Sequence, residues 1–499
     1  MIKQNLKYLT AFLFIIIYCN TFSQTKKPVV LSLGTVNNYS ISVDGNPFDV
    51  KNDQYSLQRR YFTYKNDKEQ IVILWQDQSN LSLKLTTLNS TYSSQITKII
   101  QTDKEEILIA SATDSTNLIY FLSYKAKFNL VEIFLKKIDF EGKIISSKNF
   151  YSFANSTNIY GVDDNICSMK SNGEEIIVLL SRKMYKSSDG LNHQAGLAMS
   201  FNCRTLDLVT HIENTTSHSF QNYLFVDSKK TFVGLELGDN YPRGINVHKF
   251  KGVQHKSRVV YTYKTLHSQQ PNNNSGYKAF PFYTEISTPS NKYYKWSNDN
   301  NTYTNLGGII EDNEGYFIFF LGEPSPAGMS LDNSRASSNL DPKNIGFVKI
   351  QRYFEAANEN VNCVTEDVVL SKGKSEIGGF YGYSGQWFPQ KNMGVTWLTN
   401  YKDINKNNIR NLKSIKLSDG TILLIWENYK VKDYTKDFIG VFGIKLNASG
   451  VKISPIISLG NKFRLPVSDE ILYSENKLFL INGLGDEKKI NLTIIDLSK

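Results

Sequence analysis

Ile71-Val72-Ile73-Leu74-Trp75-Gln76-Asp77 and Ile422-Leu423-Leu424-Ile425-Trp426-Glu427-Asn428 run in step almost residue for residue. Each is an apolar run closed by a Trp and a polar residue, and each follows a tight polar turn that itself follows an apolar strand. Outward from this pair the same cassette returns seven times: strand, short turn, strand, a connection of variable length, then a further strand pair. The second strand of each cassette starts near residues 71, 118, 175, 231, 316, 422 and 478. A twisted four-stranded sheet cannot bury both its faces until neighbours stack on it. The repeat therefore predicts an all-β chain, a seven-bladed β-propeller with four-stranded blades.

Turn chemistry supports the strand assignment. In the clearest unit the first strand is Leu412 to Leu417 and the second Thr421 to Glu427, joined by Ser418-Asp419-Gly420; Asn447-Ala448-Ser449-Gly450 follows the third strand, Phe438 to Leu446. Gly at the last turn position supplies the positive φ such hairpins need. Asp139-Phe140-Glu141-Gly142, Ser171-Asn172-Gly173, Asp227-Ser228-Lys229-Lys230, Asp312-Asn313-Glu314-Gly315 and Ser474-Glu475-Asn476 are read as equivalent turns. The last unit has a third strand, Lys489 to Leu497, and no residues left for a fourth. An open sheet edge exposes unpaired backbone groups, so an N-terminal strand is expected to close the last blade, with Val29 to Leu33 as the apolar candidate.

Residues 1–23 read as a signal peptide: Lys3 and Lys7, an apolar run from Leu9 to Tyr18, and small residues ending at Ser23. The run has about half the roughly twenty residues a spanning helix needs, so cleavage near Ser23 and a secreted, cell-surface or periplasmic destination are expected. Residues 24–499 are then one propeller domain with long insertions at 264–302, 322–343 and 371–410. Beyond Cys19 the chain keeps Cys167, Cys203 and Cys363, an odd number without metal-like spacing. A disulfide scaffold is thereby excluded; Cys167 with Cys203 is the one bridge considered, against three buried thiols.

Removal of Lys3 and Lys7 lowers the formal net charge from +10 to +8. The lysines are scattered among acidic residues, without the clustered basic stripe of a nucleic-acid binder. A basic exported chain suits an acidic polysaccharide or an anionic surface. The abundance of Asn, Lys, Ile and Tyr, with the short leader, points to a bacterial source.

In a propeller, connections from strand B to C and from D to the next A lie on one face, and turns A to B and C to D on the other. The three insertions fall in the first class, which makes that face the expected working face. All six histidines fall between His193 and His267. His193 is placed on the B–C loop of the third blade, His218 ahead of the fourth, and Asp239 and Arg243 on the B–C loop of the fourth, so these four are expected to converge, with Tyr241 in the same loop a further binding candidate; His248 lies within a C strand. His with Asp and Arg can bind an anionic or polyhydroxylated ligand, exchange protons, share a metal, or simply order the loops. Trp387, in Gly385-Gln386-Trp387-Phe388-Pro389, can stack on a sugar or anchor its loop, whereas Trp75, Trp397 and Trp426 read as core.

Enzyme templates are absent: no Gly-x-Ser-x-Gly elbow, no His-Glu-x-x-His helix, no phosphate loop. Ser187-Ser188-Asp189-Gly190-Leu191 lacks the Gly and Trp of a sialidase Asp box. Asp77, Asp189, Asp239 and Glu323 are the carboxylates available for paired work at the tunnel mouth. Residues 189–193, 238–244 and 397–401 resemble segments of uncharacterised secreted bacterial β-propeller-type proteins. The resemblance implies the fold and the chosen face, and no reaction. The expected function is binding of a carbohydrate or protein partner through the long-loop face; the alternative is a glycan-degrading hydrolase or lyase there. No cofactor is expected, with a structural calcium ion left open, and neither a nucleic-acid partner nor a membrane span; the expected state is a monomer.

Overall fold

In the computed structural model the two matched runs are the second strands of their blades, Ile71–Gln76 and Ile422–Lys432. The structure describes residues 33–48, 59–92, 95–114, 116–127, 130–151, 161–186, 192–217, 221–238, 244–252, 254–262, 305–322, 342–352, 368–369, 380–381, 387–388, 395–432 and 435–498.

Seven antiparallel sheets of at least four strands form a ring, a seven-bladed β-propeller. Blade 1 is Tyr61–Lys65, Ile71–Gln76, Leu83–Leu88 and Gln95–Ile100. Blade 2 is Ile107–Thr113, Leu118–Lys127, Leu130–Asp139 and Ile144–Tyr151. Blade 3 is Gly161–Ser171, Glu175–Lys186, Asn192–Asn202 and Leu208–Ser217. Blade 4 is Gln221–Val226, Phe232–Gly238, Gly244–Lys251 and Gln254–Thr262. Blade 5 opens with Asn305–Glu311, Gly315–Gly322 and Asn344–Gln351. Blade 6 is Asn408–Lys416, Ile422–Lys432, Thr435–Leu446 and Ile457–Gly460. Blade 7 takes Leu472–Ser474, Lys477–Leu484 and Lys489–Asp496 from the C-terminal end.

Alternation along the B strands builds the core. Ile71, Ile73 and Trp75 pack with Phe479 and Ile481 of blade 7, while Val72 and Leu74 pack with Ile119 and Phe121 of blade 2. Seven such clusters each join two neighbouring blades. A fully buried aliphatic or aromatic side chain contributes about 1.5–3 kcal/mol, so no blade is stable without its neighbours. Trp75 and Trp426 are fully buried and Trp397 partly so, all as core residues. Gly142, Gly173, Gly420 and Gly450 close their turns with φ of 81°, 90°, 83° and 79°, whereas Gly315, expected to do the same, opens the second strand of blade 5 without a positive φ.

Thr35–Ser42 closes blade 7, paired antiparallel with the last strand from Thr35↔Asp496 to Ser42↔Lys489. The closing strand is N-terminal, as expected, but lies beyond the apolar stretch Val29 to Leu33 rather than in it. Of Val29 to Leu33 only Leu33 is described; it is buried against Ile415, Leu423 and Leu478. The pairing strand follows and is mostly polar because an outermost strand buries little: only Ile41 in it is buried.

Blade 5 departs from the plain pattern. Its outer edge is shared by Val368–Val369, paired to Lys349 and Ile350, and by Thr396–Trp397, paired to Gly346 and Phe347. The insertion expected at 371–410 thus leaves and rejoins at the position of the fourth strand. Cys167 and Cys203 both belong to blade 3 and both are buried free thiols, so the bridge considered from sequence is not formed. Cys203 Sγ meets Ser171 Oγ at 3.2 Å, and burial pushes the Cys167 thiol up to about 12. Cys363 lies outside the described residues. Among the described residues no helix is long and apolar enough to cross a membrane.

Candidate functional site at the long-connection rim

Antiparallel order places every B–C and D–A connection at one rim and every A–B and C–D turn at the other. Of the residues expected to gather there, His218, Asp239, Tyr241 and Arg243 lie outside the described residues, as do the carboxylates Asp189 and Glu323. His193 belongs to the strand Asn192–Asn202 rather than to the preceding loop, and Trp387 to the short strand Trp387–Phe388, paired with Phe380–Tyr381. The strand ends flanking the expected cluster do meet. Asn246 Nδ2 in blade 4 donates to Thr216 Oγ1 at the end of blade 3 (2.8 Å), and a Cβ on Gly238 would lie 2.9 Å from Asn246 Nδ2.

At this rim the inner strands surround a polar cavity of about 120 Å³ at the head of the central channel. Its walls are the first residues of the A strands of blades 4 and 5, the middle of that of blade 6, and the segments leading into blades 7 and 1. Gly307 and Gly308 bring blades 5 and 6 together: a Cβ on Gly307 would fall 2.4 Å from the Leu412 side chain, and Ser414 Oγ donates to Gly307 O at 3.0 Å.

Charges converge on the cavity and largely spend themselves on one another. Arg59 Nη1 donates to Glu470 Oε1 at 2.7 Å and Nη2 to Ser168 Oγ at 2.9 Å, while Lys170 pairs with the other oxygen of Glu470. Burial would raise the Glu470 carboxyl, but Lys170 and Arg59 outweigh it and hold the group at about 2. Asp469 Oδ1 accepts the backbone N–H of Arg60 (2.6 Å) and Tyr61 (3.1 Å), and burial still raises its carboxyl above the usual carboxylate range. Lys413 Nζ donates to the carbonyls of Val467 (3.0 Å) and Asp469 (2.9 Å); burial lowers its ammonium below the usual lysine range against the pull of Asp469. Adjacent carboxyls held far apart in pKa are the arrangement that lets one donate a proton while the other stays ionised. Arg59-Arg60 and Asp469-Glu470, charged doublets just ahead of inner strands, were the available sequence signal for this cluster.

Other polar groups at this rim clasp successive blades. Gln76 Nε2 donates to Glu106 O at 2.6 Å and its Oε1 accepts Leu108 N at 3.1 Å, tying blade 1 to blade 2. Its counterpart Glu427 accepts Leu465 N at 2.8 Å and Asn411 Nδ2 at 2.9 Å, tying blade 6 to the segment leading into blade 7. Asp77 is a structural carboxylate: it accepts Asn46 N (3.0 Å) and Ser79 N (2.9 Å) and pairs with Lys84 at 2.9 Å. Burial would raise it, but the Ser79 hydroxyl, Lys84 and these N–H groups hold it at about 2.

His248 is fully buried in blade 4. Its Nε2 lies 3.0 Å from Glu236 Oε2 and its Nδ1 3.1 Å from His255 Nε2, a line that crosses the blade from B to D. In blade 1 the corresponding line is Trp75 Nε1 to Thr86 Oγ1 (2.9 Å) to Thr97 Oγ1 (3.0 Å). Burial, with His248 beside it, depresses the His255 imidazole to about 3. Among the described residues no three His, Cys, Asp or Glu side chains converge as a metal set.

No family model matches the chain, and no curated protein matches it in sequence. Among solved structures it is similar to a protein of unknown function from Dyadobacter fermentans, at 10% identity over 92% of this chain and 99% of that one, TM-score 0.37. It is also similar to an α-L-arabinofuranosidase from Lactobacillus brevis (11% identity, 71% and 97% coverage, TM-score 0.31). A third is an endo-arabinase from Bacteroides thetaiotaomicron (9% identity, 67% and 92% coverage, TM-score 0.27). Likenesses this distant carry no argument about activity.

Proposed function

We propose that this chain is an exported, monomeric bacterial binding protein, freed of residues 1–23, that takes a carbohydrate on the long-connection rim without a cofactor. The carrying observation is the asymmetry of the rims. The A–B turns are two to five residues long and the C–D connection of blade 6 is ten, 447–456, whereas the much longer connections 263–304 and 323–341 both leave from the opposite rim, where the channel head also lies. The channel head is too small to be the ligand pocket: about 120 Å³ falls below the roughly 300–1,000 Å³ of small-ligand sites. The ligand therefore sits over the channel and among the connections, with His193, His218, Asp239, Tyr241, Arg243 and Trp387 as proposed contacts.

The second reading is a glycan-degrading hydrolase or lyase on the same face, favoured by the divergent Asp469 and Glu470 carboxyls. A glycan array on the full chain, with each hit assayed for new reducing ends or unsaturated products, separates the two. Binding without turnover is expected. Turnover would establish the second reading, and an array with no hit would remove both. Arg243→Ala should abolish binding with the melting temperature unchanged within about two degrees; a drop equivalent to about 3–5 kcal/mol would mark Arg243 as a buried ion-pair partner instead.

A further inference from the structure

Between blades 6 and 7, on the long-connection rim, a second cavity of about 300 Å³ is walled by Asn38, Tyr39, Lys462, Arg464, Asn482 and Thr493, among others. It is more than twice the volume of the channel head and reaches the lower bound of small-ligand pockets. Lys462 and Arg464 come from the connection that leads out of blade 6, Asn482 from the end of the second strand of blade 7, and Asn38 and Tyr39 from the closing strand.

The polar groups of this wall are set rather than loose. Asn482 is only 8% exposed, and its Nδ2 donates to Arg464 O at 3.1 Å. Its Oδ1 is buried with no hydrogen-bond partner among the described residues. A buried acceptor left unmade is destabilising, and a donor arriving in the cavity would recover that cost. Thr493 Oγ1 and Asn38 Oδ1 bond each other at 2.7 Å on the same wall. The Arg464 guanidinium is fixed over the Phe438 ring at 3.4 Å, with Nη1 on Tyr429 Oη at 2.9 Å; Glu427, 4.0 Å away, only partly offsets it. Lys462 is exposed beside it. The wall contains two cations, several amides and hydroxyls, one Tyr and no carboxylate. Hydroxyl donors satisfy Asn482, and the cations select an anionic group.

We infer that this cavity is a subsite for an acidic sugar, a uronate residue whose carboxylate faces Lys462 and Arg464 while a hydroxyl donates to Asn482 Oδ1. The inference rests on the rim reading above and adds to it a place and a ligand class.

Calorimetric titration of the full-length chain with trigalacturonate, and with neutral galactotriose as control, tests it. Trigalacturonate should bind more tightly than galactotriose, and less so as salt is raised. Lys462→Ala should weaken trigalacturonate by about tenfold. Ser40→Trp, a substitution at an exposed position on the cavity wall, should abolish binding. Both variants should melt as the parent does. Equal affinity for the acidic and neutral sugars, or parental affinity in both variants, would overturn the subsite. Parental affinity in these variants together with loss in Arg243→Ala would overturn it while leaving the rim reading intact. Absence of binding to every saccharide tried would remove both.

Discussion

On the rim of tight turns, Asp419 Oδ1 accepts the N–H of Thr421, two residues along, at 2.9 Å; on the opposite rim, Asp77 Oδ1 accepts the N–H of Asn46, which follows the closing strand of another blade, at 3.0 Å. Asn66, Asp139, Asn172, Asp227, Asp312 and Asn447 each accept N–H groups from their own turns. Gln76, Glu427 and Asn482 reach the segment leading into a different blade, or, for Asn482, into its own. The tight-turn rim ties blades together as well: Ser228 Oγ donates to Glu311, Asn172 Nδ2 to Lys230 O, Tyr316 Oη to Asp227 and Ser418 Oγ to Asn476. What distinguishes the long-connection rim is that both cavities lie there.

If the ring depends on long-range commitments, removing its closure should have the largest effect. Deleting residues 33–43 removes the outer strand of blade 7 and the buried side chains of Leu33, Ile41 and Val43. At about 1.5–3 kcal/mol each, before any loss of pairing, this approaches the roughly 5–15 kcal/mol that holds a domain folded. Loss of cooperative thermal unfolding is expected; a parental melting temperature would show that the ring closes otherwise. Next comes Glu470→Ala, which leaves Arg59 and Lys170 facing each other in the channel. A loss of about 3–5 kcal/mol in urea unfolding is expected.

Two aspartates then set the rims against each other directly. Asp77→Ala leaves Lys84 buried without its carboxylate and should cost about 2–3 kcal/mol. Asp419→Ala, on an exposed turn, should cost about 0.5–1 kcal/mol. Equal losses in the two would break the comparison.

A pH dependence is also expected in blade 4. His255 binds a proton near 6.5 when unfolded and only near 3 when folded, because burial and His248 oppose its charge. The unfolded chain therefore takes up more protons between these values, so this contribution is present above pH 6.5 and is lost as pH falls toward 3. Glu236 and His248 are the ionisable groups that line up with it. Glu470, depressed from 4.5 to about 2, loses its contribution in the same direction over that lower window. His255→Phe should flatten the fall in melting temperature between pH 7 and 5 and leave the steeper fall below pH 4.5. An unchanged slope above pH 5 would assign that dependence elsewhere.

The same division governs what the sequence made legible. Second strands expected at 231, 316 and 478 begin at Phe232, Gly315 and Lys477, because alternation and turn residues act within a few positions. The Asx turns and their glycines were readable for the same reason. The closing strand was sought in apolar residues, whereas an edge strand is satisfied by backbone pairing and carries Asn37, Asn38 and Ser40 on its surface. The channel cluster was missed because Arg59 and Glu470 become neighbours only when the ring closes. Neither residue sits in a strand with a periodicity to read. Asp77 was readable as a rim carboxylate but not as one already consumed, since Asn46 and Lys84 reach it from different elements.

Hydrogen–deuterium exchange of the full-length chain with and without trigalacturonate tests most directly whether the long-connection rim is the working face. Protection is predicted at 461–465, 482–491, 217–221 and 238–244, with no change at the tight turns 66–70, 139–143, 227–231, 312–315, 417–421 and 447–451. Protection confined to those turns would place the working face on the opposite rim and contradict the account.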